Sequence, residues 1–185
     1  MPRHFPEIET LEGQCQMNAD ETENARPGTL PYLGLSVILF ESYRRVVGKS
    51  LVPGDLNDVE AALWLYEDAP CCVVAHNTEA DPRFIYANKA AQRRFEYSWS
   101  EFTALPSRLS AEEPNRTERQ HLLSRVARDG FADRYKGLRI SRSGRRFFIE
   151  DGTVWQLTDS RGVLHGQGAM FPTSRDLAQA QADEK

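Results

Sequence analysis

The chain lacks the features that would let it act on a charged polymer, cross a membrane or catalyse a reaction through a familiar constellation. Among its 185 residues, 23 Lys and Arg face 27 Asp and Glu, a formal net charge of -4. Without a positive excess there is no electrostatic footprint to draw nucleic acid, so no direct nucleic-acid partner is expected. The most apolar run, Leu33 to Phe40, is far shorter than the roughly 20 residues a spanning helix needs. No basic stretch followed by an apolar one opens the sequence, so export and membrane insertion are both disfavoured. Cysteine is scarce and odd in number: Cys15 stands alone, and Cys71 and Cys72 are adjacent, which fits neither an unstrained disulfide nor a metal-ligand spacing. A reducing cytoplasm is the expected compartment.

Catalytic patterns are missing as well. His4, His76, His121 and His165 are scattered, and there is no phosphate-cradling glycine loop, no H-x-x-x-H or C-x-x-C pair and no nucleophile elbow. An enzyme would have to combine Glu150 or Asp151 with His76 or His165 across a sheet, and nothing in the spacing asks for it. The adjacent thiols have no basic neighbour in sequence to lower their pKa, so they read as small buried hydrophobes. No catalytic residue, no metal site and no defined cofactor follows from the sequence, and a sensory or binding module is preferred over an enzyme.

What is present divides into four stretches. Residues 1–32 carry Pro2, Pro6, Pro27 and Pro31 and an acidic run at Asp20, Glu21 and Glu23, a composition that cannot offset the entropy of ordering. Residues 33–68 read as two flanking helices. The first has Leu35, Ile38, Leu39, Val46 and Val47 at helical spacing and ends near Gly48; its stripe packs on the chain's own sheet or forms a homodimer seam along Leu35–Val47. The second is capped by Asn57 with Glu60 in capping-box position, and Val59, Ala62, Leu63 and Tyr66 are expected to share its inner face. Residues 69–172 form the main domain, and a polar tail occupies 173–185.

Within the main domain, Cys71 to Asn77 and Arg83 to Ala87 read as a hairpin about the turn at Thr78 to Pro82. Asn88 then caps a short helix; as a pure cap it would be exchangeable for Asp. Ser98 with Glu101 opens another short helix. A loop from Pro106 to Pro114 leads to a longer helix with Leu122, Leu123 and Val126 facing inward, closed by Gly130. Three strands follow, turning at Ser143-Gly144 and at Asp159 to Gly162. Arg139, Arg142, Arg145 and Arg146 flank the first of these turns and read as a solvated turn, with anion binding as the sharper alternative.

The run Tyr86, Asn88, Ala90, followed by Tyr97, Ser98 and Glu101, resembles the signature of PAS domains, with Glu96 standing where a Gly is usual. Leu105 to Glu112, Gly137 to Phe147, Val154-Trp155 and Gly166 to Ala169 are similar to the MEKHLA family, a PAS-like domain of bacterial proteins and of some plant homeodomain leucine-zipper regulators. The likeness covers roughly residues 35 to 172 and is to the bacterial stand-alone form. It implies an α+β fold: a five-stranded antiparallel sheet covered on one face by short helices, with N-terminal flanking helices. No chemistry is established for this family. With no catalytic constellation and no kinase, cyclase or DNA-binding effector in the chain, the expectation is a module that senses a small molecule, or alternatively only binds protein, and signals through an unidentified effector protein or through self-association. His121, on the helix where haem sensors of this fold carry an axial ligand, reads as a surface group, and no cysteine stands where flavin photosensors carry theirs. A small, mainly apolar ligand between sheet and helices is expected to meet Tyr86, Phe95, Tyr135, Phe147, Trp155, Gln167 and Phe171. The side-chain-free positions Gly166 and Gly168 would leave it room.

Overall fold

The computed structural model of the chain describes residues 30–112 and 115–173, without the side chains of residues 30–32, 115, 116, 118 and 119. The expected disordered lead and polar tail therefore lie almost wholly outside the described residues. Helix α1, Leu30–Val47, closes at Gly48, whose φ of 76° suits a residue without Cβ. Its stripe packs inward: Leu39 is fully buried, and Phe40 and Tyr43 nearly so. Helix α2, Asp58–Glu67, starts on the expected capping box, with the Asn57 side chain accepting from Val59 and Glu60 N–H and the Glu60 carboxylate accepting from Asn57 N–H.

The inner face of α2 differs from the expected one. Ala61, Ala62, Leu65 and Tyr66 are buried, while Val59 and Leu63 are 46% and 37% exposed. The small Ala61 permits close approach, and the Asn88 side-chain amide donates to the Leu65 carbonyl at 3.2 Å. Together they turn the helix toward the next stripe round.

Five strands follow in two groups: β1 (Cys71–His76) and β2 (Phe84–Ala87), then β3 (Phe131–Ile140), β4 (Arg146–Thr158) and β5 (Leu164–Pro172). Their order across the sheet is β2-β1-β5-β4-β3, with every neighbouring pair antiparallel. Between the groups come α3 (Lys89–Phe95), α4 (Trp99–Ala104), a 3-10 turn at Ser107–Ser110 and α5 (Asn115–Asp129), closed by Gly130 at φ 89°. The architecture is α+β, as expected. Two apolar clusters result from strand alternation. One holds Phe95, Phe102, Phe147, Val126 and Phe171 between the sheet and α3–α5. The other holds Leu39, Tyr43, Leu65, Tyr86, Trp155 and Leu157 between the sheet and α1–α2. The flanking helices therefore cover the second face of the sheet.

Asn88 joins the two sides and is more than a cap. It is fully buried. Its Oδ1 accepts from Ala91 N–H, the cap bond, and also from Val73 N–H, both at 3.0 Å. Its Nδ2 donates to the carbonyls of Leu65 and of Cys71, the latter at 2.8 Å. An amide alone supplies two donors and an acceptor here, so the expected exchange with Asp is corrected: a carboxylate would face two carbonyl oxygens.

At the end of α3, Glu96 takes the left-handed conformation, φ 62° and ψ 35°, that a Gly would adopt without strain. Its carboxylate compensates by accepting from Ser141 Oγ at 2.9 Å and Ser143 N–H at 3.1 Å, and by pairing with Arg145 at 3.2 Å. These hydrogen bonds, Ser143 foremost, pull its pKa from 4.5 to about 2. The β3–β4 hairpin is thereby fastened to the corner between α3 and α4.

Candidate functional site

The α3–α5 side of the sheet contains a cavity of about 50 Å³. Its walls come from every element around it: Val74 of β1, Phe84 of β2, Phe95 of α3, Leu122 and Leu123 of α5, Tyr135 of β3, Ile149 and Val154 of β4, and Phe171 of β5. Five polar side chains also reach the lining, those of His76, Ser110, Tyr135, Arg139 and Gln167.

The placement of Tyr135 and Arg139 follows from the local backbone. Arg134 and Asp151 have φ of 51° and 54°, and the β3–β4 register shifts on either side of Tyr135. The irregularity brings Tyr135, Gly137 and Arg139 onto one face at period two. The Tyr135 ring lies over Gly137, where any Cβ would collide with the phenol. Gly137 thus allows the hydroxyl to run along the strand and accept from the Arg139 guanidinium at 2.7 Å, which also donates to the Leu138 carbonyl at 2.7 Å. Arg139 is 6% exposed. This corrects its place in the solvated cluster, which keeps Arg142, Arg145 and Arg146, paired respectively with Glu101, Glu96 and Glu112.

Gln167 closes the opposite wall. Its Nε2 donates to the Leu123 carbonyl of α5 at 3.1 Å, and its Oε1 is buried with no hydrogen-bond partner among the described residues. His76, Leu123 and Gln167 also line an outer groove of about 460 Å³, bounded by the β1–β2 turn and α5. Asp81 and Arg108 tie that turn to the 3-10 turn through two hydrogen bonds, at 3.0 and 3.1 Å.

Of the residues singled out from sequence, Phe95, Tyr135, Gln167 and Phe171 meet at the cavity. Phe147 lies beneath it, its ring 5.0 Å from that of Phe95. Tyr86 and Trp155 do not join them: register irregularities in β2, between Phe84 and Tyr86, and in β4, at Asp151-Gly152, interrupt the alternation, so Tyr86 leaves the face of Phe84 and Trp155 that of Phe147. Trp155 stacks edge-on with Tyr43 at 4.9 Å and donates from Nε1 to Ser42 Oγ at 2.9 Å. Tyr86 packs beside Tyr66 and Trp99, and burial raises its pKa. Gly168 contributes backbone alone: a Cβ there would stand 2.5 Å from the Trp155 ring, so the residue makes room for Trp155 and leaves none for a ligand. Gly166 makes room for the His76 carbonyl in the same way. Arg139 was missed as a lining residue, although its spacing of four from Tyr135 on a strand places both on one face.

Cys71 and Cys72, adjacent on β1, point to opposite faces and are both free. Burial pushes the Cys72 thiol to about 12, far from the thiolate that reactivity needs. His121 is exposed on α5. No helix among the described residues is long and apolar enough to cross a membrane, and no cluster of three or more metal-ligating side chains occurs among them.

The MEKHLA domain profile matches residues 33–175. The chain belongs to the MEKHLA domain family. No curated protein sequence matches it. Among solved structures, this MEKHLA domain is similar to an RNA-binding light-oxygen-voltage receptor, at TM-score 0.54 and 20% identity over 74% of this chain and 37% of that one. It is also similar to the light-state dimer of the fungal blue-light photoreceptor Vivid, at TM-score 0.52 and 14% identity over 78% and 95% of the two chains. A PAS domain from Colwellia psychrerythraea aligns at TM-score 0.47 and 17% identity over 59% and 87%. At such identities the first two likenesses show the fold, which is of the PAS type.

Proposed function

We propose that the protein is a PAS-like sensory module that does not turn over a substrate. It holds a small ligand between its sheet and α3–α5, and passes on the state of that cavity by associating with another protein or with a second copy. The observation that carries this reading is an apolar cavity with a few placed polar groups, the usual make-up of a small-molecule site. Among the described residues no carboxylate and no thiol lines it, which supports binding over catalysis. Glu150 and Asp151 are exposed, and His165 pairs with Asp159 at 3.3 Å.

Association is the output the fold supports. The α1 stripe is committed to β4, and Leu35, Val37 and Ile38 pack half-buried against the same cluster, so a homodimer along Leu35–Val47 would use the surface these three leave exposed. The net charge of -4 gives no basic footprint for nucleic acid. Two free thiols suit a reducing compartment such as the cytoplasm. A second reading, protein association without any ligand, is favoured by volume: about 50 Å³ is well below the roughly 300–1,000 Å³ of drug-sized ligand pockets. Native mass spectrometry of the full chain purified from its own host separates the two. A small-molecule mass increment is the expected result. A bare mass, with no thermal shift across a metabolite panel, would leave association alone.

A further inference from the structure

The arginines of the β3–β4 hairpin are paired in an order opposite to their need. Arg142, Arg145 and Arg146, at or near the surface, each have a carboxylate partner. Arg139, 6% exposed, has none within ion-pair distance among the described residues. A guanidinium cannot shed its proton, and burying it without a counter-charge is costly. Two of its five N–H groups are taken, by the Leu138 carbonyl and the Tyr135 hydroxyl, both neutral acceptors. Across the same cavity, the Gln167 Oε1 is a buried acceptor without a donor among the described residues, and its orientation is set because Nε2 donates to the Leu123 carbonyl. A positive charge lacking its anion and an acceptor lacking its donor thus line one apolar space.

We propose that this cavity binds a short-chain carboxylate, held at Arg139, with its carbon chain against Phe95, Leu122, Ile149 and Phe171. A hydroxyl on that chain would donate to Gln167 Oε1, so short hydroxy acids are the preferred members of the class. Volume sets the size: at about 10–15 Å³ per water-sized occupant, some 50 Å³ takes roughly four such positions. That matches a molecule of about four to six non-hydrogen atoms and is too small for an aromatic acid or a nucleotide. Arg is suited to the task because its fork grips a carboxylate through two parallel hydrogen bonds. Inorganic phosphate would satisfy the charge but would leave the apolar walls unused. This assignment rests on the proposed sensory reading and names its ligand class.

The test uses the full chain in carboxylate-free buffer, titrated calorimetrically with acetate, propionate, glycolate, lactate, inorganic phosphate and the neutral isosteres acetamide and propionamide. Saturable one-to-one binding of the carboxylates is expected, with the amides roughly tenfold weaker or more, as befits loss of a hydrogen bond to a charged group. Arg139→Gln should weaken the carboxylates by a similar factor, and Gln167→Leu should erase the advantage of glycolate over acetate. The Arg139 side-chain N–H resonance of the unmodified protein should move on titration, a readout independent of whether either variant folds. Equal binding of amides and carboxylates, binding of phosphate alone, or no response to any carboxylate at millimolar concentration overturns the proposal. If a molecule of another class then co-purifies and fills the cavity, the sensory reading stands and the carboxylate assignment alone falls. If no class binds, both fall.

Discussion

The two faces of the sheet are built on different principles. Toward α1 and α2 the packing is solid: Leu39, Leu65, Tyr86, Trp155 and Leu157 have essentially no exposure, and the Trp155 N–H is matched to Ser42. Toward α3–α5 the aromatic cluster of Phe95, Phe102 and Phe147 is equally buried, yet beside it lie a void, an arginine without a carboxylate and an amide oxygen without a donor. Interiors are normally packed to crystal density with their polar groups satisfied. The first face obeys the packing half of that rule, with the buried Tyr86 hydroxyl left without a hydrogen-bond partner among the described residues. The second departs from it where β3, β5 and α5 meet, and departures of this kind collect at functional sites.

Truncation should expose the difference most strongly. Trp155→Ala removes the largest fully buried side chain and leaves Ser42 without its donor, for an expected loss of about 4 kcal/mol. Leu122→Ala, facing an existing void, should cost about 2 kcal/mol, the low end for such changes. Chemical denaturation of both variants checks the contrast; a loss for Leu122→Ala as large as that for Trp155→Ala would mean the faces are packed alike.

Asn88 is where the comparison can be broken from the middle, since it ties α2, β1 and α3 together. Asn88→Ala should cost about 3 kcal/mol, because it strands the amides of Val73 and Ala91 and the carbonyls of Leu65 and Cys71. Asn88→Asp should cost at least as much, through repulsion from the two carbonyls. Thermal unfolding of the pair decides it, and a near-neutral Asp variant would reduce Asn88 to a helix cap.

Much of this arrangement was legible in the chain, and the failures have a common physical origin. Caps and turns are local, so Asn57, Ser98 and Gly130 marked their elements correctly, and the order of strands and helices followed. The face to which a residue points is a tertiary property. Phe147 and Ile149 share a face, as alternation requires, but the same alternation would put Trp155 with them and Tyr86 with Phe84, and the register irregularities that move both to the other face have no local mark in the sequence. Gly168 misled for the same reason: the missing side chain makes room for the Trp155 ring. Arg139 was grouped with its neighbours by charge, whereas its strand position, four residues from Tyr135, decides its burial.

The unpaired arginine sharpens the contrast in the opposite direction to the truncations. In ligand-free protein, Arg139→Met should leave stability unchanged or raise it by about 1 kcal/mol, since an apolar chain of similar length replaces a desolvated charge that has no counter-charge among the described residues. On the solid face no comparable substitution should gain anything. Differential scanning calorimetry without ligand measures it. A loss of more than about 2 kcal/mol would show that Arg139 is retained for the fold, through Tyr135 and the Leu138 carbonyl.

The smallest effect concerns the fastening that holds β3, and with it Arg139, against the helices. Glu96 titrates at about 2 in the folded chain and at 4.5 otherwise, with the Ser143 and Ser141 hydroxyls as its chief partners. A depressed carboxylate pKa contributes stability that is fully present above pH 4.5 and fades as pH falls toward 2. Glu96→Gln should therefore flatten this part of the acid-unfolding curve while leaving the curve above it nearly parallel to that of the unmodified protein. Glu96→Gly should flatten it equally, but would regain part of the loss at neutral pH because glycine adopts the φ of 62° without strain. Because the hairpin is held at Ser141 and Ser143, two and four residues beyond Arg139, weakening it should loosen the cavity face and leave the Trp155 face untouched. Hydrogen exchange of β3 against β1 in the two variants reads this out. Equal acceleration in both strands would show that the two faces open as one unit, and that the difference between them is one of packing and not of stability.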